Sequence, residues 1–235
     1  MAQFLHNKSK VVWLCLLFCS NSNAATLELS GAFGHVNVTT KNWQELRQKK
    51  LVRQQWDISC GAAALSTLMT WYHGISLNEK TVANALLQTT NVGRVRARGG
   101  FSLLDLKRFV EAIGFQGAGY SKMTMADLSE INKPAILPIH LYGLDHFVVY
   151  KGQVGNRFYL GDPAFGNISL TMEKFDEVWK SRIAFYVTSG KEEDFKKHAF
   201  HASGDDTNIA DLTEIDWRRY APLLPVTRRS RVVMP

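Results

Sequence analysis

The strongest constraint on this chain is a change of hydrophobic period near residue 133. Before it, apolar residues recur at helical spacing; after it they alternate and turn β-branched and aromatic. "PAILPIHLY" (134–142), "HFVVYKGQV" (146–154), "RFYLGD" (157–162), "NISLTM" (167–172) and "RIAFYVTS" (182–189) read as strands separated by glycine turns, with a short helix at "EKFDEVW" (173–179). Upstream, 60–73 and 79–89 read as helices. "RARGGFSLLDLKRFVEAIGF" turns at Gly99 and Gly100, then opens a helix with Ser102 and Asp105 as a capping box. That helix carries Leu103, Leu106, Phe109, Val110 and Ile113 and closes at Gly114, and "TMADLSEIN" (124–132) forms a short fourth one. Helices first and antiparallel strands afterwards give an α+β fold in which N-terminal helices pack on an antiparallel sheet.

The ends have a different character. Lys8 and Lys10 precede a short apolar run, Val11–Cys19, and "SNSNAA" ends in small residues, with Ser22 and Ala24 spaced as at a cleavage site. Residues 1–24 read as a signal peptide cut near Ala24, because the apolar run is about half the roughly 20 residues that a spanning helix needs. Residues 25–45 form a polar arm, with a hairpin or extended strand around Gly31 and Gly34. The folded domain covers 46–189, and residues 190–235 are a charged C-terminal extension that is either docked or partly disordered.

Signal cleavage leaves one of the three cysteines, Cys60, so the exported chain has a single thiol and no internal disulfide. The formal charge is +7, and cleavage removes two lysines and no acid. The remaining cations are scattered rather than striped, so no nucleic-acid partner is expected.

Cys60 opens the helix of "RQQWDISCGAAALSTLMTWYHG". The unsatisfied N–H groups and the dipole of a first helical turn favour a thiolate, and Gly61 with Ala62–Ala64 leaves the sulfur approachable. A nucleophilic thiol needs a base and a group to orient it. His73 lies about three and a half turns along the same helix, roughly 20 Å away. His35, His198 and His201 fall in the least patterned regions. His146 begins a strand after a polar turn, whereas His140 sits inside an apolar strand and reads as a core or edge histidine. Asp162 ends the next strand, and antiparallel pairing brings it beside His146 to fix the imidazole tautomer. The Cys60 amide and a side-chain amide, from Gln54 or Gln55, are candidates for an oxyanion hole. A zinc site of Cys60, His140 and His146 lacks the usual close-spaced ligand pair, so no metal and no organic cofactor is expected.

"QQWDISCGAAAL", "DHFVVYKG" and "FYLGDPAFG", in that order, resemble the bacteriocin-processing cysteine peptidases of family C39, which are papain-like, over about residues 50–188. The resemblance implies Cys60 as nucleophile, His146 as base, Asp162 as orienting acid and Gln54, six residues before the cysteine, as oxyanion donor. Members that cleave double-glycine leaders are usually N-terminal domains of membrane exporters. This chain, with its own export signal and no P-loop, looks instead like the stand-alone exported members, most of all those of Fap functional-amyloid secretion. That implies a periplasmic cysteine endopeptidase whose polypeptide substrates include amyloid subunits or other components of the same system. The "ARGG" at 97–100 resembles a leader end but is explained as a turn. Arg94, Arg96 and Arg98 read as a solvated loop rather than a groove for acidic substrate. Two other functions share these residues: a non-proteolytic substrate-binding module of a secretion system, and a papain-like amide hydrolase or transamidase acting on cell wall.

Overall fold

The computed structural model describes residues 25–31, 34–40, 43–141, 143–190 and 195–202. The expected signal peptide, Tyr142, residues 191–194 and the tail from 203 onward lie outside the described residues. The chain divides into two units, Met1–Asn42 and Trp43–Pro235. In the first, β1 (Ala25–Gly31) and β2 (Gly34–Thr40) form an antiparallel hairpin with Gly31 opposite Gly34.

The second unit begins with α1 (Trp43–Gln48), α2 (Cys60–Trp71), α3 (Glu79–Thr89), α4 (Val92–Arg98) and α5 (Leu103–Ala112). It continues through β3 (Gln116–Tyr120), α6 (Met125–Ile131), β4 (Ala135–Leu141), β5 (Leu144–Val154), β6 (Arg157–Asp162), β7 (Gly166–Thr171), α7 (Met172–Val178) and β8 (Ala184–Thr188). β3 to β8 form one six-stranded sheet in the order β3-β8-β4-β5-β6-β7, antiparallel at every pairing. This is the α+β arrangement, N-terminal helices followed by an antiparallel sheet, expected from the switch of period.

The centre of the unit is α2. Every residue from Cys60 to Met69 is buried, as a helix apolar on all faces must be. Its alanines leave room for close neighbours, and it packs against α3, α5 and β5. In the same core, Phe158 of β6 stacks on Phe175 of α7 with ring centroids 4.3 Å apart, and Phe175 stacks on Trp179 at 5.3 Å. The Trp179 indole N–H donates to the Ile183 carbonyl at 2.9 Å, which satisfies its one polar atom inside the core. Phe195 and Phe200, beyond β8, are fully buried in the same core, and the Ala202 N–H donates to the Lys151 carbonyl at 2.7 Å.

Three elements were not anticipated by the pattern. The arginine segment is helical rather than a loop: the Asn91 side chain accepts from the Arg94 N–H at 3.1 Å to start α4, and Gly99, at φ 81°, ends it. β3 has no alternation to read, because Gly117 is dictated by packing; a Cβ there would stand 2.9 Å from both Phe185 and Val110. α1 has only six residues.

Candidate active site

Cys60 is the first residue of α2, and His146 lies near the start of β5. The two meet because α2 runs into β5 without a side chain between them: a Cβ on Gly61 would come within 3.3 Å of the Phe147 ring. Asp162, the last residue of β6, is carried to His146 by the β5–β6 pairing. His146 Nε2 lies 2.8 Å from Asp162 Oδ1. The ring's other nitrogen, Nδ1, is therefore the one left for the thiol, and Cys60 and His146 line the same cleft and interact electrostatically.

The electrostatics follow from this contact. Burial pushes the Cys60 thiol up, but the hydrogen bond and charge of His146 and the N–H groups of Phe147 and Gly61 outweigh it, and its pKa is lowered. Burial pushes His146 down; the charge and hydrogen bond of Asp162, with Cys60 adding to them, reverse that and raise it. The two shifts together favour a thiolate–imidazolium pair.

Asp162 is fully buried. Besides His146, its Oδ1 accepts from the N–H groups of Ala164 at 2.7 Å and Phe165 at 2.9 Å, so the turn "DPAF" wraps its own carboxylate. The segment ahead of Cys60 clamps that turn. Gln54 N–H donates to the Pro163 carbonyl at 3.0 Å, Arg53 Nε donates to the same carbonyl at 3.1 Å, and further guanidinium bonds run from Arg53 to the Ala164 carbonyl and from Arg47 to the Phe165 carbonyl.

Of the two glutamines, Gln55 is exposed, while Gln54 buries its side-chain oxygen without a hydrogen-bond partner among the described residues. Cys60 and His146 open into a cleft of about 440 Å³, also lined by Gly100, Phe101, Pro138, Ile139, Arg98 and Lys180. Arg98 thus lines the cleft, contrary to its reading as part of a solvated loop, although its guanidinium is held 3.3 Å from Asp105. His140 belongs to the cleft's rim rather than its centre: its Nδ1 lies 2.9 Å from Asp145 Oδ1, and both side chains are exposed.

One residue of this site was not found from sequence. Glu79, at the start of α3, is 3% exposed and reaches back to accept from the Gln55 N–H at 2.8 Å and to meet the Ser59 hydroxyl. An acid in a helix's first turn normally signals only a favourable dipole interaction, and nothing local marks this one as buried.

The family model described as the Peptidase C39 family matches residues 48–192. A relative from Pseudomonas aeruginosa described as "Probable functional amyloid protease FapD" is 33% identical over 78% of this chain and 81% of its own length. A relative of the same description from Pseudomonas fluorescens is 33% identical over 74% and 76%. Among solved structures, a double glycine motif protease from an AMS/PCAT transporter, in complex with the leader peptide, is 24% identical over 59% of this chain and 89% of its own, with a TM-score of 0.48. No helix among the described residues is long and apolar enough to cross a membrane. With its family model matched across the whole region that builds this cleft, the chain belongs to the Peptidase C39 family and is a peptidase.

Proposed function

We propose that the protein is an exported cysteine endopeptidase that acts in the periplasm on polypeptides of a functional-amyloid secretion system. The observation that carries the chemistry is the buried His146–Asp162 contact of 2.8 Å in the cleft that Cys60 and His146 line together. Cys60 thiolate attacks the scissile carbonyl, and a C–S bond forms as the carbonyl π electrons move to oxygen. The Cys60 N–H and the Gln54 side-chain amide donate to that oxyanion. Imidazolium His146 gives its proton to the leaving amine as the C–N bond breaks, then takes a proton from the water that hydrolyses the thioester. Asp162 keeps the imidazole oriented throughout. Cleavage near Ala24 removes the signal peptide, and residues 190–235 form an extension to the peptidase domain.

The amyloid-related role is supported by the two relatives described as functional amyloid proteases. Incubation of the purified protein with the amyloid subunits and other exported proteins of its own secretion system, read by mass spectrometry of new termini, tests the whole reading. New termini should appear with wild type and not with Cys60→Ala. Equal binding of these proteins by both forms, with no new termini, would instead establish a binding module.

A further inference from the structure

The turn from Gln54 to Cys60 supplies both proposed oxyanion donors and the nucleophile, so its shape must be held to a fraction of an ångström. On one side it is tied to the Asp162 turn through the Gln54 N–H. On the other side its ties run to a single side chain, Glu79. Oε1 of Glu79 accepts from the Gln55 N–H at 2.8 Å and contacts the Ser59 hydroxyl, which also lies 2.7 Å from the Trp56 carbonyl. Glu79 Oε2 is buried without a hydrogen-bond partner among the described residues.

A buried carboxylate with one empty oxygen is costly, so it has to be maintained for something it does. It does not cap its own helix, because Asn78 performs that role by accepting from the Thr81 N–H at 2.8 Å. Nor is it needed to hold α3 to α2, since the Thr70 hydroxyl accepts from the Leu77 N–H at 3.0 Å and donates to the Leu77 carbonyl at 3.1 Å. Among the described residues, its side-chain hydrogen bonds go to Gln55 and Ser59, just before the nucleophile.

Ser59 shows what the contact achieves. It is the N-cap residue of α2 and of a type that normally caps, yet its side chain makes no capping bond. Its hydroxyl is turned away, toward Glu79 and the Trp56 carbonyl. The first-turn N–H groups of the nucleophile's helix are thereby left without a side-chain cap. We propose that Glu79 is a positioning residue for the reaction: by holding the Gln55 N–H and the Ser59 hydroxyl it fixes the Gln54–Cys60 turn and keeps Ser59 from capping the nucleophile's own helix. This rests on the proposed cysteine-peptidase chemistry of the site.

The test uses the purified protein with Glu79→Gln, Glu79→Asp and Glu79→Ala. The substrate is the quenched-fluorescent peptide that wild type cleaves best from a mixed-sequence set. Rates are divided by the number of thiols that iodoacetamide labels rapidly at about pH 5.5, where the ordinary thiol of misfolded protein is protonated and unreactive. Glu79→Gln keeps an acceptor at the same reach and should retain wild-type kcat. Glu79→Asp keeps the charge but withdraws the acceptor by one methylene, and should lower kcat per thiol by about 10²-fold, the scale of an ångström's misplacement, with KM little changed. Glu79→Ala should fall at least as far, and Glu79→Asp decides the matter if the alanine variant does not fold. Wild-type kcat per thiol in Glu79→Asp would overturn the assignment, as would a Glu79→Gln defect as large as that of Glu79→Asp. Absence of Cys60-dependent cleavage by wild type would instead overturn the peptidase chemistry, and the Glu79 assignment with it.

Discussion

Strands β4 to β6 carry two His–Asp pairs of nearly equal length in opposite environments. His146 and Asp162 are 2.8 Å apart, with side chains 11% and 0% exposed; His140 and Asp145 are 2.9 Å apart, at 57% and 96%. Distance therefore does not distinguish them. In the buried pair, low dielectric strengthens the carboxylate's pull on the imidazole, and two backbone N–H groups keep the carboxylate from moving. In the exposed pair, water competes for every contact and salt screens it. Of the two, only the buried pair is electrostatically coupled to the thiol of Cys60. A histidine–carboxylate contact gains chemical meaning from what surrounds it.

Substitutions can break this contrast at different points. The largest effect is expected from Cys60→Ala or His146→Ala, each of which should lower kcat/KM for peptide cleavage by a factor on the order of 10⁴ or more, with the double variant no worse than either. Asp162→Asn comes next. An asparagine oxygen can still accept from Ala164 and Phe165, but the charge that raises His146 is gone, so turnover should drop by about 10²- to 10⁴-fold. The working pH range of that variant should also narrow. Its alkaline limit, set by loss of the imidazolium proton, moves down, and its acid limit, set by formation of the thiolate, moves up. The smallest effect is expected at the exposed pair: His140→Ala or Asp145→Asn should change stability by no more than about 1 kcal/mol in a denaturant titration and leave kcat unchanged. A loss at His140 comparable to that at Asp162 would show that the rim takes part in the reaction.

The legible part of this molecule is the part built at element boundaries. Cys60 at a helix start, His146 near a strand start and Asp162 at a strand end can be paired by topology alone, because an antiparallel hairpin fixes which ends are neighbours. Glu79 could not be found that way. Its partners, Gln55 and Ser59, belong to an irregular turn 24 and 20 residues upstream of Glu79, and no periodicity reports a turn's hydrogen bonds. β3 was hidden for a related reason. Its Gly117 is set by the close approach of Val110 and Phe185 rather than by strand propensity, so alternation is absent where the sheet is nonetheless continuous. α4 was hidden because its sequence, "VGRVRAR", has one buried residue, Val95; only its boundary residues, Asn91 and Gly99, mark it as a helix.

The central claim is that His146, charged through its contact with Asp162, holds Cys60 as a thiolate against the opposing effect of burial. It is tested most directly by the rate of Cys60 alkylation with iodoacetamide from pH 4 to 9, in wild type and in His146→Ala. The account predicts fast labelling well below the free-thiol value of about 8.5 in wild type, and a shift toward that value in the variant. Labelling of wild type that rises only near pH 8.5 and does not respond to His146 would contradict it.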